Sequence, residues 1–167
     1  MSASALKPQT GLTAKDATPQ SSPLQTLVAL EGEILNCEDR LALKHMAVNR
    51  SRKLVPAGHI LWLTTRGTKV KIEAISSQAH IEKTSPFIQW MRAQLEGRLR
   101  GGKLSTAKTF NFQSRRTDDE FSYPFSHAFF APFTGSTKTE GGGLLFTRES
   151  PFVETEQALI TLSLIHI

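Results

Sequence analysis

The sequence predicts an α+β domain with a mostly antiparallel central sheet flanked by helices. Three observations point there. Apolar residues come in two pairs of strand-like runs, each pair joined by a turn containing glycine, which is the pattern of two hairpins. Helical apolar spacing precedes, separates and follows those pairs. The chain has 167 residues, 39% of them apolar and 21% charged, which suits one globular domain.

Residues 1–21 are poor in large apolar side chains and rich in Ser, Thr, Ala, Gln and Pro. Such a segment cannot repay its ordering entropy, so a disordered leader is expected. Three Ser-Pro pairs follow, Ser22-Pro23, Ser85-Pro86 and Ser150-Pro151. Serine accepts a hydrogen bond from an orphan N–H at a helix start, and proline suits the first helical position, so each pair predicts a helix.

After Pro23, the residues Leu24, Leu27, Val28, Ile34 and Leu35 suggest one apolar face. A second helix is expected from about Asp39 to Val55, with a stripe of Leu43, Met46, Ala47 and Leu54, ended by Pro56-Ala57-Gly58. Residues 59–65 contain the run Ile60-Leu61-Trp62-Leu63, typical of a strand covered on both faces. Past the turn at Arg66-Gly67-Thr68, Val70, Ile72 and Ala74 alternate with Lys69, Lys71 and Glu73, which predicts that the first three share a face.

The third helix, from Pro86, presents Phe87, Ile88, Met91, Leu95 and Leu99, with Trp90 on its flank and Gly101-Gly102 as its stop. Residues 109–112 form a candidate short strand, and Arg115 to Glu120 read as a loop. Tyr123 to Phe133 is a Phe-rich strand with Phe125, His127 and Phe129 on one face and Ala128 and Phe130 on the other. A turn over 134–142 leads to a return strand, 143–148. Ser150-Pro151 then opens a last helix with Ala158, Leu159 and Leu162 on its apolar side.

Certain segments in this order carry a resemblance. They are Val48-Asn49-Arg50-Ser51-Arg52-Lys53-Leu54-Val55-Pro56, then Leu61-Trp62, then Ala74-Ile75-Ser76 leading into Ser85-Pro86-Phe87-Ile88-Gln89-Trp90. Tyr123-Pro124-Phe125-Ser126-His127-Ala128, Pro132-Phe133 and Gly142-Gly143-Leu144-Leu145-Phe146-Thr147-Arg148-Glu149 complete the series. Together they resemble the GAF-like N-terminal region of bacterial HlyD-type membrane-fusion (periplasmic adaptor) proteins. The resemblance implies a GAF-like domain over 22–162. It also implies a cytoplasmic, regulatory position ahead of an inner-membrane anchor, and partners among the other subunits of an export or efflux complex. A freestanding GAF-like sensor of small molecules is the alternative. The last residues, from Leu162, resemble a tail on truncated reading frames that run into adapter DNA, so 163–167 are expected to be non-native and the chain a fragment. The other reading is that they finish the last helix.

No catalytic constellation is legible. Gly97-Arg98-Leu99-Arg100-Gly101-Gly102-Lys103-Leu104 nearly spells a phosphate loop, but the motif needs Ser or Thr where Leu104 stands, and it should open a helix rather than close one. The five histidines lack metal-ligand spacing, and the single cysteine, Cys37, has no base partner in sequence and no chromophore-attachment context. The expectation is a non-enzyme without metal or cofactor. Trp62, Trp90, Phe125, His127 and Phe129 are the candidate lining of a small-molecule pocket between sheet and helices. An ordinary aromatic core is the other reading of the same residues, and a buried, satisfied imidazole the other reading of His127.

Charge is uneven. From Arg40 to Lys71 there are eight basic residues and no acidic one, and from Arg92 to Arg116 seven basic residues and one acidic, Glu96. An anionic membrane surface is a candidate partner for these stretches, with a solvated helix surface as the bland reading. A net charge of +5 is modest for a nucleic-acid binder, so nucleic acid is not the expected partner, and a basic nucleic-acid-associated module ranks last among the functional readings.

Overall fold

The computed structural model describes residues 22–98, 106–112, 122–133 and 140–164. Their elements follow in order as α1 (Pro23–Leu35), α2 (Arg40–Arg50), a 3-10 turn (Ser51–Lys53), β1 (His59–Arg66) and β2 (Lys69–Ile75). α3 (Pro86–Arg98), β3 (Lys108–Asn111), β4 (His127–Pro132), β5 (Glu140–Arg148) and α4 (Glu154–Ser163) complete the order. The leader, Leu99, the Gly101-Gly102 stop, the loop at 115–120, the turn residues 134–139 and the tail residues 165–167 lie outside the described residues.

Two of the three Ser-Pro pairs open helices. At α1 the Gln25 N–H donates to Ser22 Oγ and the Ser22 N–H donates back to Gln25 Oε1, at 3.3 and 2.9 Å, a reciprocal cap. At α3 the Ile88 N–H donates to Ser85 Oγ at 3.4 Å. The third pair does not: α4 begins at Glu154, where the Val153 N–H donates to the Glu156 carboxylate at 3.0 Å. Asp39 caps α2 through both carboxylate oxygens, which accept from the Leu41 and Ala42 N–H groups.

The stripes of α2 and α3 pack as their periodicity predicts, Leu43, Met46, Ala47 and Leu54 in one core and Ile88, Met91 and Leu95 in the other, whereas the faces of α1 and α4 differ from the periodicity reading. α1 buries Leu27, Leu30 and Ile34, while Leu24, Val28 and Leu35 are exposed. α2 buries Ala47 and Val48, and α4 buries Ile160, with Leu164 beyond its end also buried, whereas Leu162 and Ala158 are exposed. α1 and α4 carry more apolar residues than one stripe holds, so composition leaves their rotation open.

The five strands form one sheet in the order β2-β1-β5-β4-β3, antiparallel at every pairing. β5 is central. Its glycines permit close packing: a Cβ on Gly142 would lie 2.3 Å from Leu63 O, and one on Gly143 2.3 Å from Ala131 O. The β1–β2 hairpin turns through Gly67 at φ +60°.

β2 contains a bulge. Trp62 pairs with Ala74 but Leu63 pairs with Ile72, leaving Glu73 as the extra residue. The expected sharing of one face by Val70, Ile72 and Ala74 therefore fails. Val70 and Ile72 pack toward α3 with Leu61, Leu63 and Phe130, and Ala74 packs on the opposite face with Trp62, Ala47 and Phe146. Two cores result, one under α1, α2 and α4, the other under α3. Phe129, Phe130 and Phe146 are fully buried, each contributing about 2–3 kcal/mol by removal from water. Among the described residues no helix is long and apolar enough to cross a membrane.

Candidate ligand-binding cleft

Antiparallel pairing brings His59, Thr147, Ala128 and Phe110 into one row across β1, β5, β4 and β3. Paired residues share a face, and this row faces α3. Tyr123, in the segment before β4, lies over it. Its hydroxyl is 2.8 Å from Thr147 Oγ1 and 3.2 Å from His59 Nδ1, and Thr147 Oγ1 donates to the His59 carbonyl at 3.2 Å.

Counting protons assigns the tautomer. The single Thr147 proton is committed to a carbonyl, which only accepts. Tyr123 must then donate to Thr147, so His59 Nδ1 carries the proton shared with the Tyr123 oxygen. A neutral His59 thus keeps a lone pair on Nε2, and among the described residues that nitrogen has no hydrogen-bond partner. Burial, with help from the nearby Arg52 charge, lowers the His59 pKa from 6.5 and favours this neutral form. Burial also raises the Tyr123 pKa, and the Thr147 hydrogen bond opposes that rise only in part.

Aromatic rings surround the polar relay. Phe87 stacks on Tyr123 at 5.5 Å, Phe125 meets His59 edge-on at 5.2 Å, and Trp90 and Phe112 lie 5.1 and 5.7 Å from Tyr123. Beside them a cleft of about 420 Å³ opens, lined by His59, Phe87 and Tyr123 together with Gln78, His80 and Glu82. That volume suits a small organic molecule. The cleft offers flat aromatic walls, the free Nε2 acceptor of His59 and the polar side chains of Gln78, His80 and Glu82.

The residues named from sequence do not meet in one pocket. Trp90 and Phe125 belong to the ring around Tyr123. Trp62 and Phe129 lie across the sheet in the other core, Trp62 against Phe133 at 4.3 Å and Phe129 against Phe152 at 6.1 Å. His127 starts β4 at the sheet margin, partly exposed, with Nδ1 2.9 Å from Asn111 Oδ1. The alternation of His127 and Phe129 against Ala128 and Phe130 is as expected, but Phe125 precedes the strand and turns its ring under Gly58 and His59. His59, Tyr123 and Thr147 were not candidates in sequence, because the β1–β5 register that unites them joins residues 88 apart.

No family model and no curated protein matches the sequence. Solved structures do. A GAF domain of a phosphoenolpyruvate-protein phosphotransferase from Coxiella burnetii is 12% identical, with a TM-score of 0.57 over 89% of this chain and 92% of that one. The fold is GAF-like. A GAF domain of a proposed sensor histidine kinase from Pseudomonas syringae pv. tomato gives 13% and 0.56 over 86% and 81% of the two chains. A far-red-absorbing protein with bound biliverdin IXα gives 12% and 0.54 over 84% and 93%. These likenesses concern the GAF-like architecture, and none of the three proteins is described as an HlyD-type adaptor. Fold alone does not carry activity.

Proposed function

We propose that this chain is a non-enzymatic regulatory domain that binds a small planar molecule in the His59 cleft and transmits occupancy to α4. The observation that carries the reading is the His59–Tyr123–Thr147 relay, a satisfied polar network set in aromatic walls with one acceptor, Nε2, left over. A ligand N–H or O–H would complete it, and the ring would stack on Phe87 or Tyr123. Cys37 follows α1, which packs on the sheet face opposite the relay, so the ligand is held without a covalent link to it.

The route to α4 is short. Thr147 faces the cleft, and its neighbour Arg148 faces the other side of the sheet. There Arg148 donates to the Pro56 carbonyl and to both oxygens of Glu156 on α4. Displacement of Tyr123 by a ligand shifts Thr147 and, with it, Arg148.

The ordered motif series favours placement as the cytoplasmic region of an HlyD-type adaptor, anchored beyond α4 in an inner membrane and assembled with other export subunits. A freestanding sensor is the second reading, favoured by the structural likeness to GAF domains of other kinds of protein. A transmembrane helix and coiled-coil hairpin encoded past codon 167 would select the first, and a signalling domain there the second. Saturation-transfer NMR with a panel of planar heteroaromatic compounds tests the cleft. A binder whose signal disappears in His59→Ala supports it, and a panel without any binder removes it.

A further inference from the structure

We infer that a second site, on the open edge of β2, binds an anionic phosphate ester carried on an apolar body. It goes beyond the His59 cleft, with which its lining shares only Ile88, and it does not depend on that cleft binding anything. A groove of about 830 Å³ follows the open edge of β2, lined by Val70, Ile72, Ile88 and Arg92 on the α3 side and by Lys69, Lys71 and Glu73 at the edge and beyond it, within the size range of small-molecule sites. Its floor is apolar: Val70, Ile72 and Ile88.

Its rim is basic. Arg66, Lys69 and Lys71 come from the first basic stretch, Arg92 from the second, and Lys83 from the segment between them. The fold thus gathers charges that are dispersed in sequence. The single carboxylate of the lining, Glu73, is already engaged by Lys44, Lys71 and Thr64. Arg92 has only a long contact to Glu96, at 3.9 Å. Among the described residues Lys69 and Lys83 make no hydrogen bond or ion pair. Several exposed cations around a low-dielectric floor create a field that favours an anion, and phosphate oxygens accept several charge-assisted hydrogen bonds at once.

The edge itself argues for a compact ligand over an added strand. The Val70 N–H, which an incoming strand would need, already donates to Glu96 Oε1 at 3.3 Å. The phosphate ester could be a free metabolite or a lipid headgroup, and two probes separate these sources. One is soluble 2-naphthyl phosphate, followed by calorimetry. The other is sedimentation with phosphatidylcholine vesicles prepared with and without phosphatidylglycerol.

Lys69→Glu with Lys83→Glu should weaken whichever probe binds by at least roughly tenfold, about a decade for each lost charge-assisted contact. Arg40→Glu with Lys53→Glu makes the same change in net charge on exposed residues outside the groove and should leave binding intact. Binding of naphthyl phosphate marks a soluble ligand, and binding of phosphatidylglycerol vesicles alone marks a headgroup. The inference is overturned if neither probe binds, if the groove pair has no effect, or if the control pair weakens binding equally.

Discussion

The Glu73 carboxylate of β2 is ion-paired to the Lys44 ammonium of α2, with both side chains largely covered. Regular alternation would not place it there. The bulge puts Glu73 and Ala74 on the same side, which is how a bulge docks α2 on the sheet. Burial disfavours the Glu73 charge, but hydrogen bonds and attraction from Lys44 and Lys71 overcome it and bring the pKa from 4.5 down to about 2. A lowered carboxylate pKa stabilises the fold above the unfolded value, and the gain is lost as pH falls from 4.5 toward 2. Glu73→Gln should cost about 1 kcal/mol near neutrality. In urea denaturation the gap between wild type and variant should close through that acid range, and a gap independent of pH would contradict the assignment.

His59 acts in a different window and with its own sign. Its pKa is lowered from 6.5, so just below that pH the unfolded chain takes up a proton that the native chain refuses. Stability therefore falls as pH drops through 6.5 and levels off once the native imidazole also titrates. Denaturation at about pH 7.5 and about pH 5.5 should show this loss in wild type and a smaller one in His59→Gln. Equal losses would mean that the native His59 is not held neutral.

The order of elements was legible because it depends on local signals: apolar period, Ser-Pro starts and turn glycines. What depends on contacts between distant segments was not. The Glu73 bulge arises from pairing with β1, and Val70 and Ala74 look equivalent without it. The buried face of α1 depends on where α2 and the sheet lie, and Leu24, Val28 and Leu35 are as apolar as the Leu27, Leu30 and Ile34 that pack. The third Ser-Pro pair failed because Phe152, just after it, is needed in the core against Phe129, which delays α4 to Glu154. The candidate site was half legible. Tyr123-Pro124-Phe125 marks an aromatic segment next to a strand rich in Phe, but nothing local ties it to His59 and Thr147.

Glycine substitutions separate close packing from helix propensity. Gly142→Ala and Gly143→Ala each drive a Cβ of the central strand to 2.3 Å from a neighbouring strand's backbone carbonyl, Leu63 O of β1 and Ala131 O of β4, where neither neighbour can yield. Each should cost about 2–3 kcal/mol. Gly32 lies inside α1 with open space at its Cβ position, so Gly32→Ala should stabilise by about 1 kcal/mol. Thermal unfolding of the three variants reads both effects. A tolerated Gly143→Ala would show that β5 does not run as tightly between β1 and β4 as the register requires.

Arg148 ties the last helix to the sheet. Its guanidinium donates to the carbonyls of Pro56, Ser150 and Pro151, grips the Glu156 carboxylate with two nitrogens, and lies 4.2 Å from the centre of the Phe152 ring. The Arg148 hydrogen bonds, helped by the Val153 N–H, hold the Glu156 carboxyl below its usual pKa against the opposing effect of burial. Lysine supplies the charge but neither the planar two-point grip nor the stacking. Arg148→Lys should therefore lose nearly as much as Arg148→Ala, about 2 kcal/mol. The loss should be local: hydrogen exchange should accelerate across α4 while the β1–β5 amides stay protected. Because Arg148 adjoins Thr147, the same variants should leave ligand binding at His59 intact yet remove its effect on α4 exchange. If a bound ligand still altered α4 exchange in Arg148→Ala, transmission would have to run by another path.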